Sequence, residues 1–442
     1  MNFMSVISQA CGLQGVEIET YVFHDEAMEL VLGIRQSREG AKCGHCQSEL
    51  TRVHEWIERE IKGPPIGAYK TLLRFNQLRA FCTKCQTNRM AEAKWIHPQF
   101  ENYSCCFGEI AGRLMEEITC EAVGRLLGAD SSTLWRLDQF RMKSMLKRFE
   151  LPKNIDLSHL SADEVHFMTE RIEDREGLWQ KRWDIKYITN LVCYSEGKVL
   201  WNEPGRNADA LHHCLDTLTR SQKDQVKYFA VDMHEPFIAA LNDKLPKATI
   251  VIDRFHLAKK INEAFDSVRK SEFKRAKEQK DEFGLSMLHP HRRFILVSRE
   301  KRLSEPEKQS LEKLRQINQR INDGMLVVEH FHQALDKTTI ESFRKTLKDW
   351  YKLVRESGLK PFKKAALSIR KYRKAIEAYI VSRLTSSVSE GLNNKIKTLK
   401  RMGYGYTNEQ SFRRKILQRC GYLNSTYINT NDFFFTVPDP TI

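Results

Sequence analysis

The stretch Val226-Lys227-Tyr228-Phe229-Ala230-Val231-Asp232-Met233-His234 decides the fold. It is a short apolar run that ends on one carboxylate and then turns into a helical pattern. A second unit of the same design follows at Ala248-Thr249-Ile250-Val251-Ile252-Asp253-Arg254-Phe255-His256. Two such strands deliver two acids to one sheet edge. In open α/β sheets the crevice outside the carboxyl ends of the strands collects ligands and catalytic groups, so paired strand-end aspartates suggest a metal-binding active site. Each Asp could equally cap the helix that follows it, and the two readings stay open at this point.

Upstream, the segment from Ile155 to Phe167 reads as a strand carrying Asp163 and Glu164 in its middle. A hairpin follows, with Tyr187 to Tyr194, a turn at Ser195 to Gly197, and Lys198 to Trp201. Residues 207 to 220 form a helix before the strand ending at Asp232. Three antiparallel strands, a helix, a strand, a helix and a further strand is the element order of a ribonuclease H-like core. Downstream, residues 264 to about 375 break the alternation and read as helices rich in Lys, Arg and Leu, an all-α insertion. There the pair Trp350 and Tyr351 could stack on an unpaired base, with burial against neighbouring helices the favoured reading. Beyond it, Ser386 to Ser389 signal a helix start. In that helix Glu390, Asn393 or Asn394, and Lys397 fall on one face, while Leu392, Ile396 and Leu399 fall on the other. The loop from Met402 to Tyr406, rich in glycine and aromatic residues, ends it.

The first zone carries Cys43 and Cys46, then Cys82 and Cys85, two CxxC pairs. Each pair presents two sulfurs from one tight knuckle, and two knuckles close one tetrahedral site for a structural Zn²⁺. Alternating residues from Tyr69 to Phe75 fit a ribbon-type finger. A helical stretch follows from about 103 to 148, in which a helix at Cys120 to Leu127, a turn at Gly128 to Ser132 and a second helix from Thr133 give the order of a helix-turn-helix. A recognition helix there would project Ser131, Ser132, Thr133 and Arg136 into a major groove.

Composition narrows the partners. The 442 residues include 72 Lys plus Arg against 57 Asp plus Glu, a net charge of +15, which favours a polyanion and nucleic acid first. No apolar run approaches the roughly 20 residues needed to span a bilayer, and the N-terminus has no basic start followed by an apolar signal segment. A soluble, cytoplasmic protein is expected. Eleven cysteines, four of them in CxxC pairs, argue for metal thiolates and reduced core thiols over disulfides.

At this point the residues resemble a known family. The CxxC pairs, the helix-turn-helix, Asp163-Glu164, the Asp232 strand end, the Asp253 to His256 block, and Glu390 with its Asn and Lys look like a DDE transposase of bacterial insertion sequences, of the ISL-three family. The resemblance runs over nearly the whole chain and is most specific at the Asp253 block and the Glu390 helix with its loop. It implies a multidomain α/β protein: a zinc-binding domain over 1–100, a helix-turn-helix over 101–150, and a ribonuclease H-like core over 151–263 and 376–442 interrupted by the helical insertion over 264–375.

The resemblance also implies cutting and joining at the terminal inverted repeats of a mobile element. Its triad falls on Asp163, Asp232 and Glu390, with Asp156 and Glu164 close to the first, and with two Mg²⁺ or Mn²⁺ ions per site as cofactors beside one structural Zn²⁺. Asp253 and His256 are supporting residues, and Asn393 and Lys397 would lie near the scissile phosphate. The expected partners are double-stranded DNA, as element ends and target, and a second copy of the chain in a synaptic complex, with no membrane. Two other functions fit the same residues: a zinc and helix-turn-helix regulator with a non-catalytic core, and a nuclease without strand transfer.

Overall fold

The computed structural model describes residues 3–13, 16–173, 179–292, 295–296, 303–385, 387–403 and 405–428. Ser386 of the expected helix start, Tyr404 of the glycine and aromatic loop, and the tail after Ile428 lie outside them. Two compact units divide the chain, Met1–Lys153 with Thr398–Ile442, and Asn154–Lys397.

The first unit opens with α1 (Phe3–Ala10) and a five-stranded sheet of β1 (Glu17–His24), β2 (Glu29–Arg35), β3 (Leu50–Lys62), β4 (Lys70–Cys82) and β5 (Thr87–Met90). The order is β1-β2-β4-β3, with β5 pairing β4. Strand β4 alternates: Thr71, Leu73 and Phe75 are buried while Lys70, Arg74 and Asn76 are exposed, the period of two that one covered face requires. Its inward side chains join Leu30, Leu32, Ile34, Ile61 and Trp95 in one core.

Three helices follow, α2 (Cys105–Glu117), α3 (Cys120–Leu127) and α4 (Ser131–Lys147). Each start is fixed by a side chain that accepts from a free backbone N–H: Ser104 from Phe107, Thr119 from Ala122 and Asp130 from Thr133. Between α3 and α4 the chain reverses at Gly128, whose φ of 62° is the left-handed conformation that lets a helix stop sharply. Phe107, Ala111, Met115, Val123, Leu127 and Leu134 form their shared core.

The second unit is built on β6 (His159–Glu173), β7 (Trp179–Cys193), β8 (Lys198–Pro204), β9 (Tyr228–Val231) and β10 (Thr249–Ile252). Helices α5 (Ala208–Asp216) and α6 (Arg220–Gln225) connect β8 to β9, and α7 (Glu235–Lys244) connects β9 to β10. The sheet order is β10-β9-β6-β7-β8. Strand β7 lies antiparallel to both β6 and β8, whereas β9 lies parallel to β6 and β10 parallel to β9.

After β10 come α8 (Arg254–Glu278), α9 (Glu282–Met287), α10 (Glu305–Ile317), α11 (Gln319–Leu335), α12 (Ile340–Glu356), α13 (Lys360–Lys371) and α14 (Arg373–Ser382). Helix α8 runs unbroken through the expected start of the insertion at 264. Leu257, Ile261, Ala264, Phe265 and Val268 continue one apolar stripe across that point. Helix α15 (Ser387–Met402) follows the insertion.

The last helix, α16 (Glu409–Cys420), belongs to the first unit. Sequence reading grouped it with the end of the core, but its polar side chains are spent on α2 and α4. Buried Lys415 donates to Asp138 Oδ2 and to the Met115 carbonyl, each at 2.8 Å, and Gln418 donates to Asp138 Oδ1 at 3.0 Å. Nearby, fully buried Arg141 holds Glu109 and Glu116 together. Removing one member of such a network strands a buried charge, at about 3–5 kcal/mol. Among the described residues no helix is long and apolar enough to cross a membrane.

Candidate active site

Register brings three aspartates together. Ser161 of β6 pairs with Ala230 of β9, and Ala230 with Val251 of β10. Asp163, Asp232 and Asp253 each follow two residues later, at the same edge of neighbouring strands about 4.8 Å apart. Their side chains then distinguish them. Asp232 precedes His234, the N-cap residue of α7, and its Oδ1 faces Nδ1 of His256 at 3.4 Å. Asp253 stands at the N-cap of α8, is 1% exposed, and makes no side-chain capping bond. Helix capping therefore accounts for neither acid.

Asp163 receives the Glu164 N–H on Oδ1 and the Asn393 amide on Oδ2, at 2.8 and 2.7 Å. Beside that contact, the buried hydroxyls of Ser161 and Ser389 meet at 2.6 Å. Two polar bridges thus fix the start of α15 on β6, and Glu390 follows Ser389 directly, exposed in the first turn. The two other acids near the start of β6 are engaged elsewhere. Glu164 pairs with Arg206 at 2.8 Å, and Asp156 accepts the Ser158 N–H at 2.9 Å.

Of the two neighbouring amides on α15, Asn393 turns inward and is 7% exposed, while Asn394 stays outside. Position 393 adjoins the buried stripe of Leu392, Ile396 and Leu399, and Asp163 satisfies the amide that burial would otherwise strand. Lys397 is exposed two turns beyond Glu390, on the same face.

The electrostatics favour a cation. Burial pushes the Asp163 carboxyl up to about 6; the Glu164 and Asp232 charges push in the same direction, against the Glu164 N–H and His256. A hard divalent ion, which takes oxygen ligands, would relieve that crowding of carboxylates. The acids do not form one compact cage. Among the described residues, the only group of three or more metal-type ligand atoms all lying within 4.8 Å of one another is the set of four cysteines. Acids that bracket two ions about 4 Å apart need not share one such cluster.

That cysteine set closes at the ends of β3 and β4. Cys46 and Cys82 approach to 3.4 Å and Cys43 and Cys85 to 4.0 Å between sulfurs. A tetrahedral zinc with Zn–S of about 2.3 Å requires sulfurs about 3.8 Å apart, so the geometry fits. Each knuckle turns through a residue of positive φ just after its second cysteine, Gln47 at 63° and Gln86 at 55°. Hydrogen bonds from Ser48 lower the Cys46 thiol to about 6, whereas its bond with Cys46, then burial, push Cys85 up to about 12.

Ser131, Ser132, Thr133 and Arg136 lie in the first turns of α4, with Ser132 and Arg136 exposed. Asp130 binds the Ser132 hydroxyl and the Thr133 N–H, and Arg136 donates to Thr133 Oγ1 at 3.1 Å. Trp350 corrects an expectation. It is fully buried, donates its Nε1–H to the Val327 carbonyl at 3.0 Å and packs on Phe331, so it belongs to the insertion's core and presents no face to a base. Sequence reading missed Arg206, which holds Glu164, and also Lys371 and Tyr372, which both bind Glu235 three residues after Asp232. Only the run of cations around Lys371 signalled the latter pair.

Comparison with known proteins gives consistent matches. A family model described as a transposase matches residues 176–416, more than half of the chain. That span includes Asp232, Asp253, His256, Glu390, Asn393 and Lys397 and begins after Asp163. A second, described as the zinc-finger of transposase IS204/IS1001/IS1096/IS1165, matches residues 39–85. The chain is similar to the transposase for insertion sequence element IS1001 of Bordetella parapertussis, 23% identical over 407 residues, covering 92% of this chain and 95% of that protein. It is also similar to the transposase for insertion sequence element IS1557 of Mycobacterium tuberculosis, 21% identical over 244 residues, covering 51% of this chain and 55% of that protein. Among solved structures, the Drosophila P element transposase strand transfer complex matches with a TM-score of 0.40 and 10% identity, covering 75% of this chain and 92% of that chain.

Proposed function

The chain belongs to the ISL-three family of insertion-sequence transposases, and from that premise we propose that Asp163, Asp232 and Glu390 form its catalytic triad on a ribonuclease H-like core. The observation that carries this reading is the docking of α15 on β6 through Asn393–Asp163 and Ser389–Ser161. Asn393 contacts Asp163, which β6 carries in register with Asp232 of β9, and Glu390 lies in the first turn of the same helix.

When bound, two divalent cations, Mg²⁺ or Mn²⁺, supply charge stabilisation at the attacking and leaving oxygens of a phosphodiester displacement. The chain's own residues do the rest. Asp163, Asp232 and Glu390 would hold the cations. Asn393 fixes the rotamer of Asp163, and His256 positions Asp232. Lys397 stabilises charge on the backbone near the scissile phosphate. The site first directs water at the element end and then directs the freed 3′-hydroxyl at target DNA. The four cysteines hold one structural Zn²⁺, and the α3–α4 pair acts as a helix-turn-helix that reads the terminal inverted repeats through Ser131, Ser132, Thr133 and Arg136. Both ends must be held at once, so the working form is a homodimer, and its place is the cytoplasm.

End-labelled duplex carrying an element end and its flanking DNA tests the reading in a Mg²⁺ titration. The wild-type chain is expected to nick at the element boundary. Asn393→Ala is expected to nick about 10–100-fold more slowly and to need more Mg²⁺, the usual cost of losing the partner that orients a metal ligand. Binding without nicking at any Mg²⁺ or Mn²⁺ concentration would overturn the catalytic reading and leave a DNA-binding regulator.

A further inference from the structure

We propose that helix α13 of the insertion is a track for the DNA backbone that leads to the candidate active site. From Ser357 to Ile376 the chain carries Lys360, Lys363, Lys364, Arg370, Lys371, Arg373 and Lys374 and not one Asp or Glu. Phe362, Ala365 and Ile369 take the buried side of α13, so Lys360, Lys363, Lys364 and Arg370 line its exposed side.

Several surface cations elsewhere are held by acids. Lys223 and Lys244 share Asp216, Lys247 pairs with Asp224, and Lys308 with Glu305. Lys360, Lys363 and Lys364 make no ion pair with an acid among the described residues. A solvated helix face is the bland account of such a run, but position argues against it. Lys360 and Lys363 stand at the N-terminal end of α13, where the helix dipole makes a positive charge unfavourable. No acid occupies that first turn, and no side chain caps it. The helix keeps charge where its own stability would not place it.

The other end of α13 shows where the track leads. Lys371 Nζ and the Tyr372 hydroxyl both bind Glu235, which follows Asp232 by three residues. Twelve residues span about 18 Å, the length of about five base pairs of duplex. Charge complementarity identifies the occupant as duplex DNA held by its phosphates. Lysines on flexible stems, without an Asn or Gln among them, give contact without base readout. The inference rests on the transposase reading only for the identity of the polyanion.

The test compares Lys360→Glu/Lys363→Glu with Lys274→Glu/Lys277→Glu, an equal charge change at the far end of α8. Binding to duplexes with and without an element end is followed by anisotropy across a salt series, and thermal midpoints are measured beside it. The α13 variant is expected to bind both duplexes at least about tenfold more weakly at low salt. Its plot of log affinity against log salt should flatten by about 0.9 for each phosphate that the variant no longer neutralises, while its thermal midpoint holds or rises. The α8 variant should stay near wild type in both slope and affinity. Equal weakening by the two variants, or none by either, overturns the track. If the wild type nicks element ends and the α13 variant matches the α8 variant, the track alone fails. If the wild type never nicks, the catalytic reading fails and the salt series still decides the track.

Discussion

Asp232→Asn is expected to bind element-end DNA as tightly as the wild type and to cleave it at least about 10²–10³-fold more slowly. The substitution keeps the size of the side chain and an oxygen that can still accept the Met233 N–H, so the fold has little reason to change. What it removes is a hard anionic oxygen from a pair of carboxylates that must hold cations against a phosphodiester. Each ion contributes several kcal/mol of charge stabilisation, and each 1.36 kcal/mol is a factor of ten in rate. Gel-shift binding beside a cleavage time course on the same labelled duplex measures both quantities. Undiminished cleavage by the variant would remove Asp232 from the site, and a parallel loss of binding would show that the residue is structural.

Cys82→Ser has the larger effect on the fold. Cys82 is fully buried at the end of β4, where its sulfur meets that of Cys46. With three thiolates and a hydroxyl the site loses most of its affinity, and structural zinc contributes about 10–16 kcal/mol of apparent binding energy that small zinc domains use to fold. The expected result is a chain with less than one zinc per molecule by elemental analysis, early unfolding of the zinc-binding sheet and loss of specific end binding. A reduced, purified wild type that carries no zinc and unfolds at the same temperature as Cys82→Ser would remove the metal site.

The parts of the fold that sequence made legible are those governed by local pattern. The apolar runs before Asp232 and Asp253 are too short for a helix and end in buried positions, Phe229 to Val231 and Val251 to Ile252, so they read as strands, and the CxxC knuckles declare themselves by spacing. Helices α3 and α4 follow from Thr119, Gly128 and Asp130, residues whose local hydrogen bonding or backbone freedom marks an end.

What stayed hidden depends on contacts distant in sequence. Nothing local says that α16 packs on α2 and α4, since Lys415 and Gln418 read as surface residues until Asp138 is seen to receive them. Trp350 looked like a stacking platform because indole suits both bases and cores, and only the Val327 carbonyl and Phe331 decide between them. Asn393 and Asn394 are adjacent and chemically identical, so the choice of a partner for Asp163 rests on which side of the Leu392–Ile396 stripe each one falls. Glu164 competes with Asp163 by identity alone, and nothing local says that Arg206 holds Glu164.

The central claim is that one carboxylate site both frees an element end and joins it to new DNA. Purified wild-type chain, a labelled duplex ending in the element's inverted repeat, an unlabelled target and Mg²⁺ test it most directly. The expected result is a free 3′-hydroxyl at the repeat's terminus followed by a longer, joined product, with both species absent for Asp163→Asn and Glu390→Gln. Nicked ends that never join would contradict the claim in favour of a nuclease, and joined product from either variant would show that the chemistry resides elsewhere.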